Sequence, residues 1–152
     1  MARVRRRNSG PELKVRSILR ALGISYGLHR KSLPGTPDIT VPSRECAIFV
    51  HGCFWHRHDA CPKATMPKVR RTFWQEKFER NVARDARNSA AIRKLGWKVI
   101  VVWECETRYP SKLARRLARI LRVDFAPNLL AAIEHEKARK SVRYHERRIH
   151  KP

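Results

Sequence analysis

Apolar residues recur along this chain at different spacings, and each spacing predicts a different element. Val15, Ile18, Leu19 and Leu22 lie on one helical stripe, the 3.6-residue period of an amphipathic helix. Ser9-Gly10-Pro11-Glu12 has the spacing of a capping box with proline early in the first turn, and Gly23 stops the helix. Residues 24–30 read as a short strand. Leu33-Pro34-Gly35-Thr36-Pro37 reads as a turn, since proline and glycine punctuate it and a residue before proline avoids the helical region. Residues 38–41 and 45–50 read as two strands joined by Pro42-Ser43-Arg44, which predicts a hairpin. From His51 to Lys68 the periodicity vanishes while His, Cys, Trp and Pro accumulate, the mark of a site-bearing loop. A long polar helix follows over about 70–95, with Trp74, Phe78, Val82 and Ala86 as its inner stripe and Gly96 at its end. Residues 99–103 are apolar at both parities, which predicts a central strand covered on both faces. Pro110 opens a helix through Leu121, and residues 129–133 start a last one. The order predicts an α/β sandwich around a small mixed sheet. It forms one domain over 1–136, followed by a basic tail over 137–152 that is expected to be mobile until bound.

Composition changes the picture mainly through charge. The 152 residues hold 42% hydrophobic side chains, enough for one globular core. Thirty-five Lys and Arg against 13 Asp and Glu leave a net charge of +22. Such a field attracts polyanions and releases their counterions, so nucleic acid is the first partner to consider. A membrane would require a long apolar run or a lipidated amphipathic anchor, and the chain shows neither. Four arginines open the chain with no apolar segment behind them, so no secretory signal is read. A reducing, cytoplasmic location is the default expectation, and it disfavours disulfides for Cys46, Cys53, Cys61 and Cys105.

Cys53, His58 and Cys61 are spaced C-x4-H-x2-C, and Cys105 follows the strand at 99–103. Three soft or borderline ligands so close together suit tetrahedral zinc, and a distant thiolate would close the site. Binding would fasten an irregular loop to the end of a rigid strand. The alternative is that these cysteines are small core residues, the reading that fits Cys46, which alternates with Ile48 and Val50. Asp38 starts a strand just after a glycine turn, where a carboxylate is a natural ligand for a hard divalent cation, although aspartate also terminates turns. His51 and His56 can accept a proton from an attacking water, ligate zinc or lie exposed on the loop. Glu12 caps its own helix. Phe54 and Trp55 are either core or wedges between base pairs, and the helix stripe would bury Trp74 in any case.

These residues carry a family resemblance. Leu33-Pro34-Gly35-Thr36-Pro37-Asp38, Ile48-Phe49-Val50-His51-Gly52-Cys53-Phe54-Trp55-His56, Phe73-Trp74-Gln75-Glu76-Lys77, Asn81-Val82-Ala83-Arg84-Asp85 and Gly96-Trp97-Lys98-Val99-Ile100-Val101-Val102-Trp103-Glu104-Cys105 resemble the very-short-patch repair (Vsr) endonucleases. The resemblance runs in order from Met1 to Glu106. It implies a restriction-endonuclease-like fold, a structural zinc and a magnesium-dependent active site. The implied reaction is a nick 5′ of the thymine in a T·G mismatch left by 5-methylcytosine deamination. Carried over by position, Asp38 binds magnesium and His56 is the catalytic histidine. His51 and Glu12 support them, and Asp85 orients the histidine. Cys53, His58, Cys61 and Cys105 hold zinc, and Phe54, Trp55 and Trp74 enter the DNA beside the mismatch. Double-stranded DNA is the implied partner, with mismatch-repair proteins beside it, for a monomer in the bacterial cytoplasm.

Two departures from the family pattern stand out. Nucleases of this fold follow Pro-Asp with an acid-x-Lys, whereas the matching strand here ends Phe49-Val50-His51-Gly52. The Val50 carbonyl is then the expected second magnesium ligand. Relatives also carry an N-terminal arm ahead of a DNA-inserting methionine, and Met1 falls at that methionine, so the arm is expected to be absent. Two other functions compete. One is a nicking nuclease of a restriction or defence system without T·G selectivity, which the missing arm favours. The other is a zinc-stapled DNA-binding module, against which Asp38, His51 and His56 together argue.

Overall fold

A computed structural model describes residues 8–126 together with Ala131. Met1, the tail from 137 and all of the predicted 129–133 helix except Ala131 therefore lie outside the described residues. The elements are α1 (Gly10–Ala21), β1 (Gly27–Leu28), β2 (Ile39–Val41), β3 (Cys46–His51), α2 (Arg71–Lys94), β4 (Lys98–Trp103) and α3 (Pro110–Leu121). Short 3-10 turns at Pro42–Arg44 and Glu104–Arg108 link β2 to β3 and β4 to α3. The four strands run in the order β1-β2-β3-β4. The first two pairings are antiparallel and β3 lies parallel to β4, so the sheet is mixed. The predicted hairpin is β2–β3, with Ile39 opposite Ile48 and Val41 opposite Cys46.

Side-chain alternation divides the molecule into layers. Ile39, Val41, Cys46, Ile48, Ile100 and Val102 pack against Val15, Ile18 and Leu19 of α1 and Leu113, Leu117 and Leu121 of α3. The opposite parity, with Ala47, Phe49 and Val99, meets Ile92 of α2 together with Leu33 and Trp97. Cys46 is fully buried in the first layer, and burial pushes its thiol up to about 11, as suits an inert core residue.

Three expectations are corrected. The 99–103 segment, as β4, is an edge of the described sheet and not its centre. Apolar character at both parities reports cover on both faces, here from α3 below and α2 above, and is silent on lateral position. Trp74 and Phe78 keep the inward place expected of them on α2, but the expected stripe fails at Val82, which is 45% exposed, and at Ala86, which is exposed too. The inward positions run through Trp74, Lys77, Phe78, Asn81, Asp85, Asn88 and Ile92, a helical spacing whose middle members are polar. Finally, His51 is the last residue of β3, in register with Trp103, and not part of the loop.

α1 begins as its capping box predicts. The Ser9 hydroxyl accepts from the Glu12 N–H at 3.4 Å, and the Ser9 N–H donates back to Glu12 at 3.3 Å. Among the described residues no helix is long and apolar enough to cross a membrane.

Candidate active site and metal centre

Strand parity aims the first group of residues. Ala47 and Phe49 of β3 face α2, so His51 does too, and Asp38, immediately before β2, shares that side with Thr40. The Asp38 carboxylate accepts the Val50 N–H at 2.7 Å, which extends the hairpin ladder by a side chain. Burial raises the Asp38 pKa and Glu12's negative charge adds to that, against lowering by the Val50 N–H, His29 and His56. Desolvation is thus the leading influence on this carboxylate.

Across from it, His56 Nδ1 lies 2.5 Å from Asp85 Oδ2. His51 stacks on His56 with ring centres 3.9 Å apart and planes 9° from parallel. Burial, then the neighbouring His56, push the His51 imidazole down to about 4, so it is neutral at pH 7. Burial alone would raise the Asp85 carboxyl. The hydrogen bond and charge of His56, with His51 and Arg84, outweigh it and hold Asp85 below the usual carboxylate range. One ligand atom each from His51, His56 and Asp85 falls within 4.8 Å of the others.

Glu12 is buried, and its oxygens are occupied. Oε1 takes the Ser9 hydroxyl at 2.8 Å, and Oε2 takes the Asn8 N–H at 3.0 Å and Arg16 at 3.3 Å. It acts on Asp38 through its charge while capping α1.

Between these histidines the chain turns tightly. His56 N–H bonds the Gly52 carbonyl at 3.1 Å, His58 N–H that of Cys53 at 3.1 Å, and Cys61 N–H that of His58 at 3.3 Å. The turns carry His56 to Asp85 and His58 to the cysteines. Ligand atoms of Cys53, His58, Cys61 and Cys105 all fall within 4.8 Å of one another. His58 Nδ1 lies 3.6 Å from Cys53 Sγ and 3.3 Å from Cys105 Sγ. A tetrahedron with metal bonds of about 2.3 Å to sulfur and about 2.0 Å to nitrogen has an S···N edge of about 3.5 Å. The cluster therefore has the dimensions to hold one metal ion. Burial pushes the Cys53 thiol up to about 12, whereas the Lys63 N–H lowers that of Cys61. The ring of His58 lies flat on Trp103, 4.3 Å away, and Lys63 pairs with Glu104 at 2.5 Å, so strand and loop are joined beside the cluster.

Phe54, Trp55 and Trp74 form a half-buried aromatic group. Phe54 meets Trp55 at 5.0 Å, Trp74 at 5.7 Å and Phe78 at 5.1 Å. Sequence reasoning gave no role to Lys77 or Asn81, which belong to this group. Lys77 lies 5.3 Å from the Trp55 ring and 5.5 Å from that of Trp74, and Asn81 donates to the Trp55 carbonyl at 3.1 Å. Their signal was available: polar residues on the inward positions of α2 would be costly unless a site or a partner used them.

Comparisons with known proteins fit this geometry. The sequence model of the family described as DNA mismatch endonuclease Vsr matches residues 1–63. A type II nicking enzyme, V.XorIIP of Xanthomonas oryzae pv. oryzae, is 50% identical over 121 residues, covering 80% of this chain and 88% of the relative. The DNA mismatch endonuclease Vsr of Escherichia coli is 41% identical over 113 residues, covering 74% of this chain and 72% of the relative. A second type II nicking enzyme, V.NmeAIP of Neisseria meningitidis, is 38% identical over 122 residues, covering 80% and 86%. By these relationships the protein is a DNA endonuclease, a hydrolase of phosphodiester bonds. The chain belongs to the Vsr family.

Proposed function

We propose that this endonuclease nicks duplex DNA 5′ of the thymine in a T·G mismatch by magnesium-dependent hydrolysis, the first step of very-short-patch repair. The observation that carries the reading is adjacency: Phe54 and Trp55 directly precede His56, whose ring is pinned to Asp85. A residue pair able to wedge open a base step thus sits beside the group able to move a proton. The restriction-endonuclease-like fold implied by the family resemblance is part of this proposal, supported by the mixed sheet with helices on both faces.

Asp38 suits magnesium because it is a hard, desolvated carboxylate with the negative charge of Glu12 nearby. The Val50 N–H already points at Asp38. In an antiparallel ladder a residue's N–H and carbonyl share one edge, which supports the Val50 carbonyl as the second protein ligand. When bound, magnesium would polarise the scissile phosphate and acidify water. With Nδ1–H donated to Asp85, His56 keeps Nε2 free to accept the proton of the attacking water, and Asp85 stabilises the imidazolium that results. Neutral His51, stacked on His56, fixes its ring plane. Glu12 keeps α1 capped next to Asp38. Zinc is the proposed occupant of the Cys53–His58–Cys61–Cys105 cluster, as three thiolates and one imidazole suit it and leave no open position for substrate.

The decisive assay labels each strand of a T·G duplex and of its T·A counterpart and adds magnesium. Cutting confined to the thymine strand of the T·G duplex supports the proposal. Equal nicking of both duplexes would replace it with a nicking enzyme lacking mismatch selectivity, a reading that gains weight from the relatives named type II nicking enzymes. Binding without cutting would leave the zinc-stapled module.

A further inference from the structure

Behind the metal cluster, Glu104–Arg108 and the first turns of α3 enclose a groove of about 590 Å³. Cys105, Tyr109 and Leu113 line it together with the cations Lys112, Arg115 and Arg119. The lining is one-sided in charge. Among the described residues Glu106 is its one acid, and that carboxylate is taken by Arg116 at 3.1 Å and by the Trp103 N–H at 2.8 Å. Lys112, Arg115 and Arg119 are exposed, and no ion pair joins them to a described acid. They recur about one helical turn apart, or roughly 5–6 Å along α3. Tyr109 is 66% exposed at the groove's mouth, with an aromatic face open to solvent.

We propose that this groove is a second nucleic-acid subsite that takes a single-stranded DNA segment, with phosphates along Lys112, Arg115 and Arg119 and a base stacked on Tyr109. Charge selects the class of occupant, since an array of cations without a free acid fits a polyanion. It also excludes the chain's own tail, because residues 137–152 hold seven Lys or Arg and one Glu. Shape selects the form: a re-entrant groove of this size admits a flexible strand, whereas a duplex presents a broad convex surface. The pairing of cations with an exposed aromatic face is the general device for binding single strands. Position favours DNA over an acidic peptide. Glu104–Arg108 continues directly from β4, whose last residue, Trp103, is in register with His51. The groove therefore lies at the same end of the sheet as the proposed cutting site, though on the α3 face and not the α2 face. Cys105 is shared between it and the Cys/His cluster, and the placement beside a cut rests on the function proposed above. A strand unpaired beside the cut could cross the metal module into it.

The test needs no catalysis, so its failure is separable from that of the mismatch reading. A fluorescein-labelled oligothymidylate and a matched duplex are titrated by anisotropy with the full chain, without magnesium and across a salt series. Three variants are compared: Tyr109→Ala, Lys112→Gln/Arg119→Gln, and Arg93→Gln/Lys94→Gln at the far end of α2. The expected result is a loss of about 5-fold or more in single-strand affinity for Tyr109→Ala, the scale of one base stack, with smaller loss for duplex. Lys112→Gln/Arg119→Gln should lose about 10-fold and reduce the single-strand salt slope by about 1.4, two phosphate contacts at about 0.7 each. Two outcomes overturn the proposal. One is equal weakening by the Arg93→Gln/Lys94→Gln control, which would make net charge the cause. The other is unchanged single-strand binding by Tyr109→Ala, which would leave a basic surface without a strand site. Zinc content and circular dichroism confirm that each variant is folded, and 5-iodouracil cross-linking to the Tyr109 peptide gives a readout independent of affinity.

Discussion

Two clusters of side chains able to hold a metal draw on one short stretch of chain, His51–Cys61, and they are built on opposite principles. Cys53, His58, Cys61 and Cys105 turn inward on one another, every ligand atom within 4.8 Å of the rest. His51, His56 and Asp85 are equally close, yet here one hydrogen bond joins His56 to Asp85 and stacking holds the two rings together, while Asp38 stands apart just ahead of the neighbouring strand. The first arrangement is closed, as a site that stores folding energy must be. The second is fixed in orientation but open on one side, as a site that receives substrate must be. The chain assigns them alternately, His56 to one and His58 to the other, by tight turns of Gly52–Cys61. Function is thus divided between neighbouring residues by backbone geometry and not by residue type.

The sharpest way to break the division is Asp38→Ala. It should abolish cutting, by on the order of 10³-fold or more, since several kcal/mol of transition-state stabilisation by a metal goes with it. Zinc content by mass spectrometry and the melting temperature should stay close to those of the parent. Joint loss of zinc would show that the two clusters are one.

Asp85→Asn comes next. General acid–base groups contribute about 10²–10⁴-fold, and this variant keeps the size of Asp85 while removing the charge that holds His56. The pH dependence separates this from simple misfolding. Asp85 is held below the usual carboxylate range in the folded protein. It therefore contributes stability that is present above the unfolded value of about 3.9 and is lost as pH falls through the folded value. Unfolding free energies of parent and variant should differ at neutral pH and converge in acid. A constant offset at all pH values would mean that Asp85 acts through packing.

The closed cluster responds differently. Cys61→Ser should lower stability by about 3 kcal/mol, or roughly 10 °C in melting temperature for a chain of this size, together with zinc stoichiometry. A chelator should reproduce the shift in the parent and add little in the variant. An unchanged melt would remove the structural role.

Much of this was legible in the sequence where local rules act alone. Pro110 and the apolar stripe behind it define α3 to the residue, and the Ser9–Glu12 spacing predicts a capping box that forms. The C-x4-H-x2-C spacing predicts three of the cluster's ligands because they are local, whereas Cys105 joins through the parallel register of β3 and β4, which no short pattern states. The failures cluster near the site. On α2 the apolar stripe pointed to Val82 and Ala86, but the inward face carries Asn81, Asp85 and Asn88. Helical periodicity assumes that buried means apolar, and a helix that serves a polar site violates that assumption. His51 looked like a loop residue for the same reason: its polarity hid a strand position. β4 was misplaced because apolar cover on two faces does not distinguish an edge from a centre.

The two halves of the proposed catalytic site belong to different elements, Asp38 to the turn ahead of β2 and Asp85 to α2. Gly35 is one place where turn and helix meet, beside the contact of Leu33 with Ile92. The φ of Gly35 is +72°, and a Cβ there would lie 2.5 Å from Asn88 Nδ2. Gly35→Ala should therefore cost about 1–2 kcal/mol for the left-handed backbone and more for the collision with α2. In Gly35→Ala/Asn88→Ala the collision is relieved and the backbone cost remains, so the double variant should recover part of the stability lost by the single one. Cutting rates, measured well below both melting temperatures, then report whether the contact sets the position of Asp38 relative to His56. A rate that falls in Gly35→Ala and partly recovers in the double variant means that α2 aligns the two carboxylates through this contact. A rate that tracks only the fraction folded means that each half of the site is held by its own element, and the open cluster is as self-contained as the closed one.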